Sequence, residues 1–336
     1  MLIQDKDRKH QIFSEKLQII IVTYNRAKFL ERTLNSLLNE ASPVRDVDIL
    51  VQNNCSTDNT EQVCETFKQK FHNFSYITNR YNVGACVNIA KAYENFSKDY
   101  LWIIGDDDVY DWSNWGEVEN AALIDEQAII VNTGKLPSCY KDNLPCILSS
   151  AALISGAIIS KNLVKSSVVK KCFEKSAFLF PHLIPLVYHV NNGGRFYVCK
   201  KPIVMWGGFQ NKNDIRSFTF GDDESVLNKR SAYMTAINGF IGTVAELQDK
   251  QLKYAITRML LEQGFWLWVK KRDGKITIDS YIEESIKSHS LYNLFDISQG
   301  SDSEYQQYII DKLIDRRSEL LNKIELDKES NYLVDK

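Results

Sequence analysis

The sequence predicts an α/β fold built on a doubly wound, mostly parallel sheet. Residues 17–104 contain four β-prone apolar runs separated by three segments of helical periodicity, a pattern typical of successive βαβ units. The first run, residues 17–23, is dense in β-branched side chains, as expected for a strand covered on both faces. Polar residues follow every run, and the carboxyl ends of parallel strands meet at one sheet edge, so we expect a polar crevice there.

Each element is predicted from its local pattern. Residues 27–38 place phenylalanine and leucine at helical spacing, which favours a helix with one apolar face. A polar loop at residues 53–60 leads into the next helix, with Thr57 or Asp58 as its expected N-cap. The predicted strands are 17–23, 47–51, 74–78 and 100–104, and the predicted helices are 27–38, a segment ending at 67, and 85–96. Farther on, strands are predicted at 128–131 and 196–204, before a mainly helical region from residue 222.

Composition is that of an ordinary globular protein and excludes several function classes. The 336 residues are 44% hydrophobic and 25% charged, and a formal net charge of −2 gives no bulk attraction to nucleic acid. Residues 1–16 lack the apolar run of a signal peptide, and no stretch of about 18 apolar residues offers a transmembrane helix. The seven cysteines are scattered, without a C-x-x-C pair, which indicates a reduced, cytoplasmic protein without a zinc site.

The most informative segment is the acidic triplet after the fourth predicted strand. The run at residues 100–104 stops at Gly105 and opens onto Asp106, Asp107 and Asp108. Crowded carboxylates repel one another and resist losing water, which disfavours such a strand end unless a cation binds there. In an extended chain Asp106 and Asp108 point to one side and Asp107 to the other. That spacing suits Mg²⁺ or Mn²⁺ together with a substrate phosphate; the alternative is a solvated acidic turn.

Four segments together resemble the motifs of family 2 glycosyltransferases, inverting enzymes with the GT-A fold, of the bacterial surface-polysaccharide type. Residues 20–26, IIVTYNR, resemble the opening strand and nucleotide loop of the family, and residues 53–60, NNCSTDNT, resemble its second loop. Residues 82–88, NVGACVN, are similar to its N-x-G segment, and residues 105–108, GDDD, to its metal-binding D-x-D motif. The resemblance is strong over residues 16–110 and weak over residues 150–225.

This resemblance implies an enzyme that moves a hexose or N-acetylhexosamine from a nucleotide-sugar donor, expected to be a UDP-sugar, to a hydroxyl group with inversion. The implied cofactor is Mn²⁺ or Mg²⁺, which stabilises the charge of the leaving diphosphate. The implied acceptor is a glycan or lipid-linked saccharide in capsule, O-antigen or lipooligosaccharide synthesis. We expect an N-terminal extension (1–15), a GT-A domain (16–225) with nucleotide-binding (16–110) and acceptor (111–225) halves, and a helical C-terminal region (226–336).

The motifs also imply a set of site residues. Asp108 is expected to be the direct metal ligand, and Asp106 to share the metal or bind the ribose or a metal-bound water. The expected contacts of the nucleotide sugar are Thr23, Tyr24, Asn25, Arg26, Asn53, Asn54, Asn82, Gly84, Asn88, Asp106 and Asp107. Arg26 either reaches a phosphate or is an exposed residue in the first turn of a helix. Asp58 is expected to cap the helix that follows it rather than to touch substrate.

Asn53 departs from the family pattern. The family usually has an aspartate at this position, whose carboxylate accepts a hydrogen bond from uracil N3–H. An amide accepts through its oxygen and donates through its nitrogen. A uridine donor therefore stays open, and the nucleobase is not decided by this residue.

An inverting transfer needs a general base, and the sequence offers no obvious one. The family often places a carboxylate pair downstream of the D-x-D motif, but residues 178–185 contain no acid. His182 lies in that run and is a candidate for the base; the alternative is a structural histidine at a helix start. Asp222 and Asp223 are the other candidates, unless they cap the helix that follows them.

Two segments of the C-terminal region suggest further binding partners, a membrane surface and a second copy of the chain. Residues 265–272 join aromatic side chains to a basic tail, which suits peripheral contact with the inner face of the cytoplasmic membrane. The alternative is packing into the core or against a second copy. Residues 311–328 carry a charged helical pattern compatible with a homodimer, without a sustained heptad repeat.

Two other functions compete with sugar transfer. A sugar nucleotidyltransferase needs a glycine-rich, basic phosphate loop after the first strand, and residues 23–26, TYNR, do not supply one. A glycosyltransferase-like protein that binds nucleotide without catalysis would keep the crevice and lack the base. Product analysis separates the three.

Overall fold

The computed structural model describes residues 13–134, 143–178, 180–205, 242–243, 245–253 and 255–256. The chain divides into two compact units, Met1–Ala232 and Tyr233–Lys336. The described pieces of the second unit include helical residues at 242–243, 250–253 and 255–256, and Leu247 and Ile256 are buried. The predicted domain boundary between residues 225 and 226 lies outside the described residues and stays a prediction.

The first unit alternates strands and helices as the sequence predicts. Its strands are β1 (Leu17–Thr23), β2 (Asp48–Asn53), β3 (Phe74–Thr78), β4 (Tyr100–Ile104), β5 (Val109–Tyr110), β6 (Ala128–Ile130), β7 (Ala157–Ser160), β8 (Tyr197–Val198) and β9 (Val204–Met205). Its α-helices are α1 (Ala27–Leu38), α2 (Thr60–Lys68), α3 (Ala85–Asn95), α4 (Gly116–Leu123), α5 (Leu144–Ser150), α6 (Ser166–Glu174) and α7 (Ile184–Asn191).

Seven strands form a mixed sheet in the order β3-β2-β1-β4-β7-β6-β8. The first four are parallel, and β7 is antiparallel to both of its neighbours, β4 and β6. Strand β8 pairs with β6 in parallel. The prediction of a mostly parallel sheet is confirmed. Strands β5 and β9 form a separate two-stranded antiparallel ribbon.

Helices cover both faces of this sheet. Side chains point alternately to the two faces along each strand, so the apolar residues of each face need a covering layer. Ile19 and Ile21 of β1 belong to the main core cluster, together with the buried leucines of α1. Ile20, between them, is fully buried on the opposite face. On that face α3 lies against the strands, since Gln52 of β2 donates to the backbone oxygen of Asn88. The doubly wound arrangement predicted from sequence is therefore present.

The chain departs from the prediction at residues 196–204, which form two short strands in different sheets rather than one strand. Cys199 continues alongside β6 by donating to the carbonyl of Ile130 at 3.0 Å. The chain then turns, and Ile203 donates to the carbonyl of Asn132 at 2.9 Å before β9 joins the ribbon. Pro202 lies at this turn and has no N–H with which to continue a ladder.

The second strand also differs from its predicted end, because β2 runs two residues farther, to Asn53. Gln52 and Asn53 stay in register with the last two residues of β1. Asn53 is therefore the last residue of a strand, at the carboxyl edge of the sheet, rather than the first residue of a loop. In the part of the chain that the structure describes, no helix is both long and apolar enough to cross a bilayer.

Candidate functional site

The polar ends of the parallel strands meet at the carboxyl edge of the sheet. Thr23 is in register with Asn53, which is in turn in register with Thr78. Strand β4 lies on the other side of β1, and the loop after it brings Asp106 beside Thr23, whose hydroxyl donates to Asp106 Oδ2 at 2.7 Å. Polar residues that follow separate strands thus meet around the end of β1.

Arg26 pairs with two carboxylates of this site. Its Nε lies 3.0 Å from Asp106 Oδ1, and its Nη2 lies 3.0 Å from Asp107 Oδ2. The guanidinium also lies over the ring of Phe29, 4.3 Å from the centroid. The sequence suggested either a phosphate contact or an exposed helix residue for Arg26. Neither role anticipated its ion pairs with Asp106 and Asp107.

The convergence of Asp106 and Asp107 on one guanidinium shows that the predicted side-chain alternation is wrong. That prediction placed Asp107 on the opposite side from Asp106 and Asp108. Strand β4 ends at Ile104, so the three aspartates lie in a turn in which the extended alternation no longer holds. All three are nonetheless buried, with exposures of 5%, 8% and 3%.

Helix α1 fixes the backbone of the acidic loop. Thr33 donates from Oγ1 to the carbonyl of Asp106 at 2.8 Å, and Arg32 donates from Nη2 to the carbonyl of Asp107 at 3.1 Å. Sequence reasoning missed both residues. A buried threonine between the apolar positions of a helix was the available signal, since such a hydroxyl needs a partner.

Ser155, in the turn before the neighbouring strand β7, holds the third aspartate. Its hydroxyl donates to Asp108 Oδ2, and its carbonyl accepts from Trp102 Nε1 at 2.9 Å. Ser155 is fully buried in a short 3₁₀ turn before β7. The next residue must be small, because a Cβ at Gly156 would lie 2.7 Å from the carbonyl oxygen of Ser150. Nothing in the local sequence marks Ser155 as part of the site.

The electrostatics of the acidic loop reflect burial first. Burial raises the pKa of Asp106 to about 7, the Arg26 charge lowers it, and the Asp107 charge raises it again. The Thr23 hydroxyl favours the ionised form. A nearby positive charge therefore favours the ionised form of Asp106, as Arg26 does here and as a bound cation would do.

The loops after β1 and β2 are joined into one surface. Asn25 adopts a positive φ of 52° and accepts from the backbone N of Thr57 at 2.7 Å. Asp58 accepts from the backbone N atoms of Thr60, at 3.1 Å, and of Ala27, at 2.9 Å. The N-cap of α2 is Asn59 rather than the predicted Thr57 or Asp58, but the Asp58 carboxylate accepts from the first residue of α1 and the first residue of α2. Tyr24 is half-buried beside this junction.

A network of side-chain amides connects the second and third loops. Asn54 accepts from Asn79 and donates to Asn82 Oδ1 at 2.7 Å. Asn88 accepts from Asn79 at 2.7 Å and donates to the carbonyl of Gln52. Asn88 is therefore engaged within this network, and its predicted contact with the nucleotide sugar stays a prediction. Asn82 also accepts from the backbone N of Gly84, whose φ of 82° suits glycine.

Two of these amides bear directly on nucleotide contact. Asn82 Nδ2 is buried and lacks an acceptor within the described structure. Asn53 accepts from the backbone N of Ser56 at 3.0 Å and donates to Thr78 Oγ1 at 3.3 Å. At Asn53 both the side-chain oxygen and the side-chain nitrogen already have a partner, which a nucleobase would have to share. At Asn82 the side-chain nitrogen can still donate.

Comparison with known proteins agrees with this geometry. The model of glycosyl transferase family 2 matches residues 18–158. The match covers less than half of the chain, and the matched residues, which resemble a family 2 glycosyltransferase domain, are called the family 2 domain below. Over 94 residues the chain is 35% identical to the abequosyltransferase RfbV of Salmonella typhimurium, a match that covers 27% of this chain and 28% of RfbV. The chain thus spans less than a third of the length of that relative.

Solved glycosyltransferases share the fold of this family 2 domain. Residues 1–349 of Staphylococcus aureus TarS, in complex with UDP-GlcNAc, match at a TM-score of 0.52 and 18% identity, covering 89% of this chain and 92% of theirs. The Pyrobaculum calidifontis mannosyltransferase PcManGT, in complex with GDP-Man and Mn²⁺, matches at 0.53 and 12% identity, covering 89% and 85%. At these identities the likeness shows the GT-A fold alone.

The family 2 domain offers carboxylates for a divalent cation without enclosing one. Among the described residues no three histidine, cysteine, aspartate or glutamate side chains converge on a metal position. Mg²⁺ in substrate sites usually keeps waters and takes one or two carboxylates plus substrate phosphates. The buried Asp106 and Asp108 fit that kind of open site, in which the substrate supplies the remaining ligands.

His182 is buried beyond the family 2 domain along the chain, in a 3₁₀ turn that leads into α7. Its Nε2 lies 3.1 Å from the carbonyl oxygen of Ala152, an acceptor, so Nε2 carries the proton and Nδ1 has the lone pair. Burial lowers the pKa of His182 to about 4, against the opposing effect of the carbonyls of Ala151 and Ala152. A neutral imidazole with so low a pKa is a weak base at neutral pH.

The remaining predicted residues lie beyond the described structure. Asp222 and Asp223, the other candidates for the base, fall outside the described residues. So do the aromatic and basic segment at residues 265–272 and the charged helical pattern at residues 311–328. Their predicted roles stay predictions.

Proposed function

We propose that this protein is a metal-dependent, inverting glycosyltransferase. It moves a hexose or N-acetylhexosamine from a nucleoside diphosphate donor to a hydroxyl of a glycan or lipid-linked acceptor. The observation that carries the proposal is the convergence of Thr23, Arg26 and three buried aspartates at the carboxyl edge of the sheet. In α/β sheets this edge is where ligands bind, and here it lies within a family 2 domain.

The acidic loop is the proposed site of the donor diphosphate. Asp108 and Asp106 would hold Mn²⁺ or Mg²⁺, which supplies positive charge to the diphosphate as it leaves. Thr33 and Arg32 keep the loop in place through its backbone, and Ser155 orients Asp108. These residues thereby prepare the site before the donor binds, so less reorganisation is needed during the reaction.

The donor is proposed to be a UDP-sugar, with the base near Asn53 and Asn82. TarS was solved with UDP-GlcNAc and PcManGT with GDP-Man, so the fold accommodates more than one base. Asn53 can contribute a second lone pair of its oxygen, and the buried Nδ2 of Asn82 can donate to a base or ribose oxygen. A purine and a pyrimidine donor must therefore be compared directly.

The general base is proposed to be Asp222 or Asp223 ahead of His182. The reason is that His182 is buried, bonded to the Ala152 carbonyl and hard to protonate. The group that takes the acceptor proton must hold it after transfer, which a carboxylate with a raised pKa can do near neutral pH. His182 would then position the segment around Ala152, which lies near Ser155 in the chain.

We propose that the acceptor is an intermediate in the synthesis of a surface polysaccharide such as capsule, O-antigen or lipooligosaccharide. RfbV, an abequosyltransferase, is a relative over part of the chain. The described cysteines are free thiols, which supports a reducing, cytoplasmic setting. There the protein would meet lipid-linked acceptors at the inner face of the membrane.

Hydrolysis and transfer assays test this function. Purified protein is incubated with UDP-glucose, UDP-GlcNAc, GDP-mannose and CDP-sugars, with Mn²⁺ or with EDTA, and the released nucleotide is identified. We expect one nucleoside diphosphate to appear with Mn²⁺ only, and not with the Asp108→Asn variant. An exposed-site variant, Asp46→Asn, serves as the matched control. Turnover that is unaffected by EDTA contradicts metal dependence, and release of pyrophosphate from a sugar phosphate and a nucleoside triphosphate identifies a nucleotidyltransferase instead.

A further inference from the structure

We propose that Arg26 is the resident counter-cation of the acidic loop and exchanges partners when the donor binds. Without donor it neutralises Asp106 and Asp107; with donor and cation present it releases them and binds the diphosphate. The inference rests on the proposed function, because it assigns a step in donor binding at the same site. It makes Arg26 a positioning residue for the carboxylates and a direct contact of the donor.

The first argument is that Arg26 occupies the oxygen atoms that a cation needs. Asp106 Oδ2 already accepts from Thr23 at 2.7 Å, and Asp106 Oδ1 lies 3.0 Å from Arg26 Nε. The other end of the guanidinium contacts Asp107 Oδ2 at 3.0 Å. A divalent cation bound through Asp106 must therefore displace either the hydroxyl or the guanidinium. The guanidinium is the one that a second positive charge repels.

The second argument is that the backbone of Arg26 is fixed while its side chain can move. The backbone N of Asn25 donates to Ser56 Oγ, and the backbone N of Ala27 donates to Asp58 Oδ2, both at 2.9 Å. The Arg26 side chain is 24% exposed, whereas those of Asp106 and Asp107 are 7% and 12% exposed. The cation therefore lies on the open side of the ion pairs and can turn toward the crevice without moving α1.

The third argument is chemical. A guanidinium presents parallel N–H donors that match a phosphate as well as a carboxylate. The ring of Phe29 offers a surface on which the guanidinium can stay as it turns. Arg32 cannot take this role in the same way, since the contact that its Nη2 makes is to the backbone carbonyl of Asp107. Exchange at Arg26 keeps positive charge beside the diphosphate after the carboxylates have been transferred to the metal.

Two binding measurements of opposite expected sign test the exchange. Mn²⁺ binding without nucleotide is followed at pH 8 by the electron paramagnetic resonance signal of free Mn²⁺. Binding of UDP, GDP, CDP and ADP at saturating Mn²⁺ is followed by calorimetry. Both are applied to the wild-type chain, Arg26→Gln, Arg26→Lys and Lys28→Gln. Lys28 is an exposed cation two residues away, so its loss controls for bulk charge. Thermal melting confirms that each variant is folded.

We expect Arg26→Gln to bind Mn²⁺ alone about tenfold more tightly and the nucleoside diphosphate about tenfold more weakly. Arg26→Lys should restore part of both changes, and Lys28→Gln should alter neither. Weakening of both ligands by Arg26→Gln would mean that the arginine only maintains the fold, and the exchange would be refuted. Unchanged binding of both would refute it as well. A wild-type chain that binds neither UDP, GDP, CDP nor ADP would instead refute the proposed function, and the exchange with it.

Discussion

Ser155 donates its hydroxyl to Asp108 from 47 residues farther along the chain. The contact joins the loop after β4 to the turn that precedes the antiparallel strand β7. It places a neutral donor on the carboxylate proposed as the direct metal ligand. The orientation of that carboxylate therefore depends on the part of the domain beyond the four parallel strands.

Replacing Ser155 by alanine should lower donor turnover without unfolding the protein. The variant removes one buried hydrogen bond to a charged group, worth about 1.5–3 kcal/mol, so we expect roughly a tenfold or greater loss in kcat. Turnover and Mn²⁺ affinity are measured together with the urea midpoint. Ser113→Ala, at an exposed position, is the control. Equal kcat in the two variants would show that Ser155 does not orient the ligand.

Replacing Thr33 by valine should destabilise the acidic loop. The change keeps the shape of the side chain and removes the donor to the Asp106 carbonyl. We expect the free energy of unfolding to fall by about 1–2 kcal/mol, because a buried carbonyl loses its partner. Urea denaturation measures the change. Thr66→Val removes an exposed bond to the Gln62 carbonyl and should cost less than half as much; equal losses would contradict the assignment.

Replacing Asp58 by alanine should loosen two helix starts at once. The carboxylate accepts from the backbone N atoms of Ala27 and Thr60, so both α1 and α2 lose a capping interaction. We expect a loss of about 2 kcal/mol in the free energy of unfolding. Hydrogen exchange at the first turns of α1 and α2 should rise together. Faster exchange at only one of them would show that the bridge between the two loops is not shared.

His182 should make the stability of the domain fall in mild acid. Its pKa in the folded protein is about 4, against an ordinary value of 6.5. As the pH falls below 6.5 the unfolded chain takes up a proton that the folded chain refuses, so stability declines until the pH reaches about 4. The full difference corresponds to about 3 kcal/mol.

The pH effect is measured as the slope of the unfolding free energy between pH 6.5 and 4.5. His182→Gln should show a shallower slope than wild type, whatever its absolute stability. His72→Gln, at an exposed histidine, should keep the wild-type slope. An unchanged slope in His182→Gln would show that this histidine titrates normally in the folded protein.

Much of the fold could be read from local patterns. The dense β-branched run at residues 17–23 becomes β1 with the same bounds, and the periodic segment at residues 27–38 becomes α1. Residues 196–204 were harder, because an apolar run does not reveal that its two ends pair with different sheets. The polar edge of the sheet and a role for the Asp58 carboxylate at a helix start could be predicted, whereas the contacts of Arg32, Thr33 and Ser155 were missed.

The amino-acid sequence alone determined the order of strands and helices and the polar character of the loops at one sheet edge. These properties depend on side-chain type and on periodicities of a few residues. Only the tertiary structure decided that Arg26 bridges Asp106 and Asp107 and that Ser155 binds Asp108. Those partners are separated by 47 to 81 residues, and their meeting depends on strand order, register and the turn after Ile104, which no local pattern encodes.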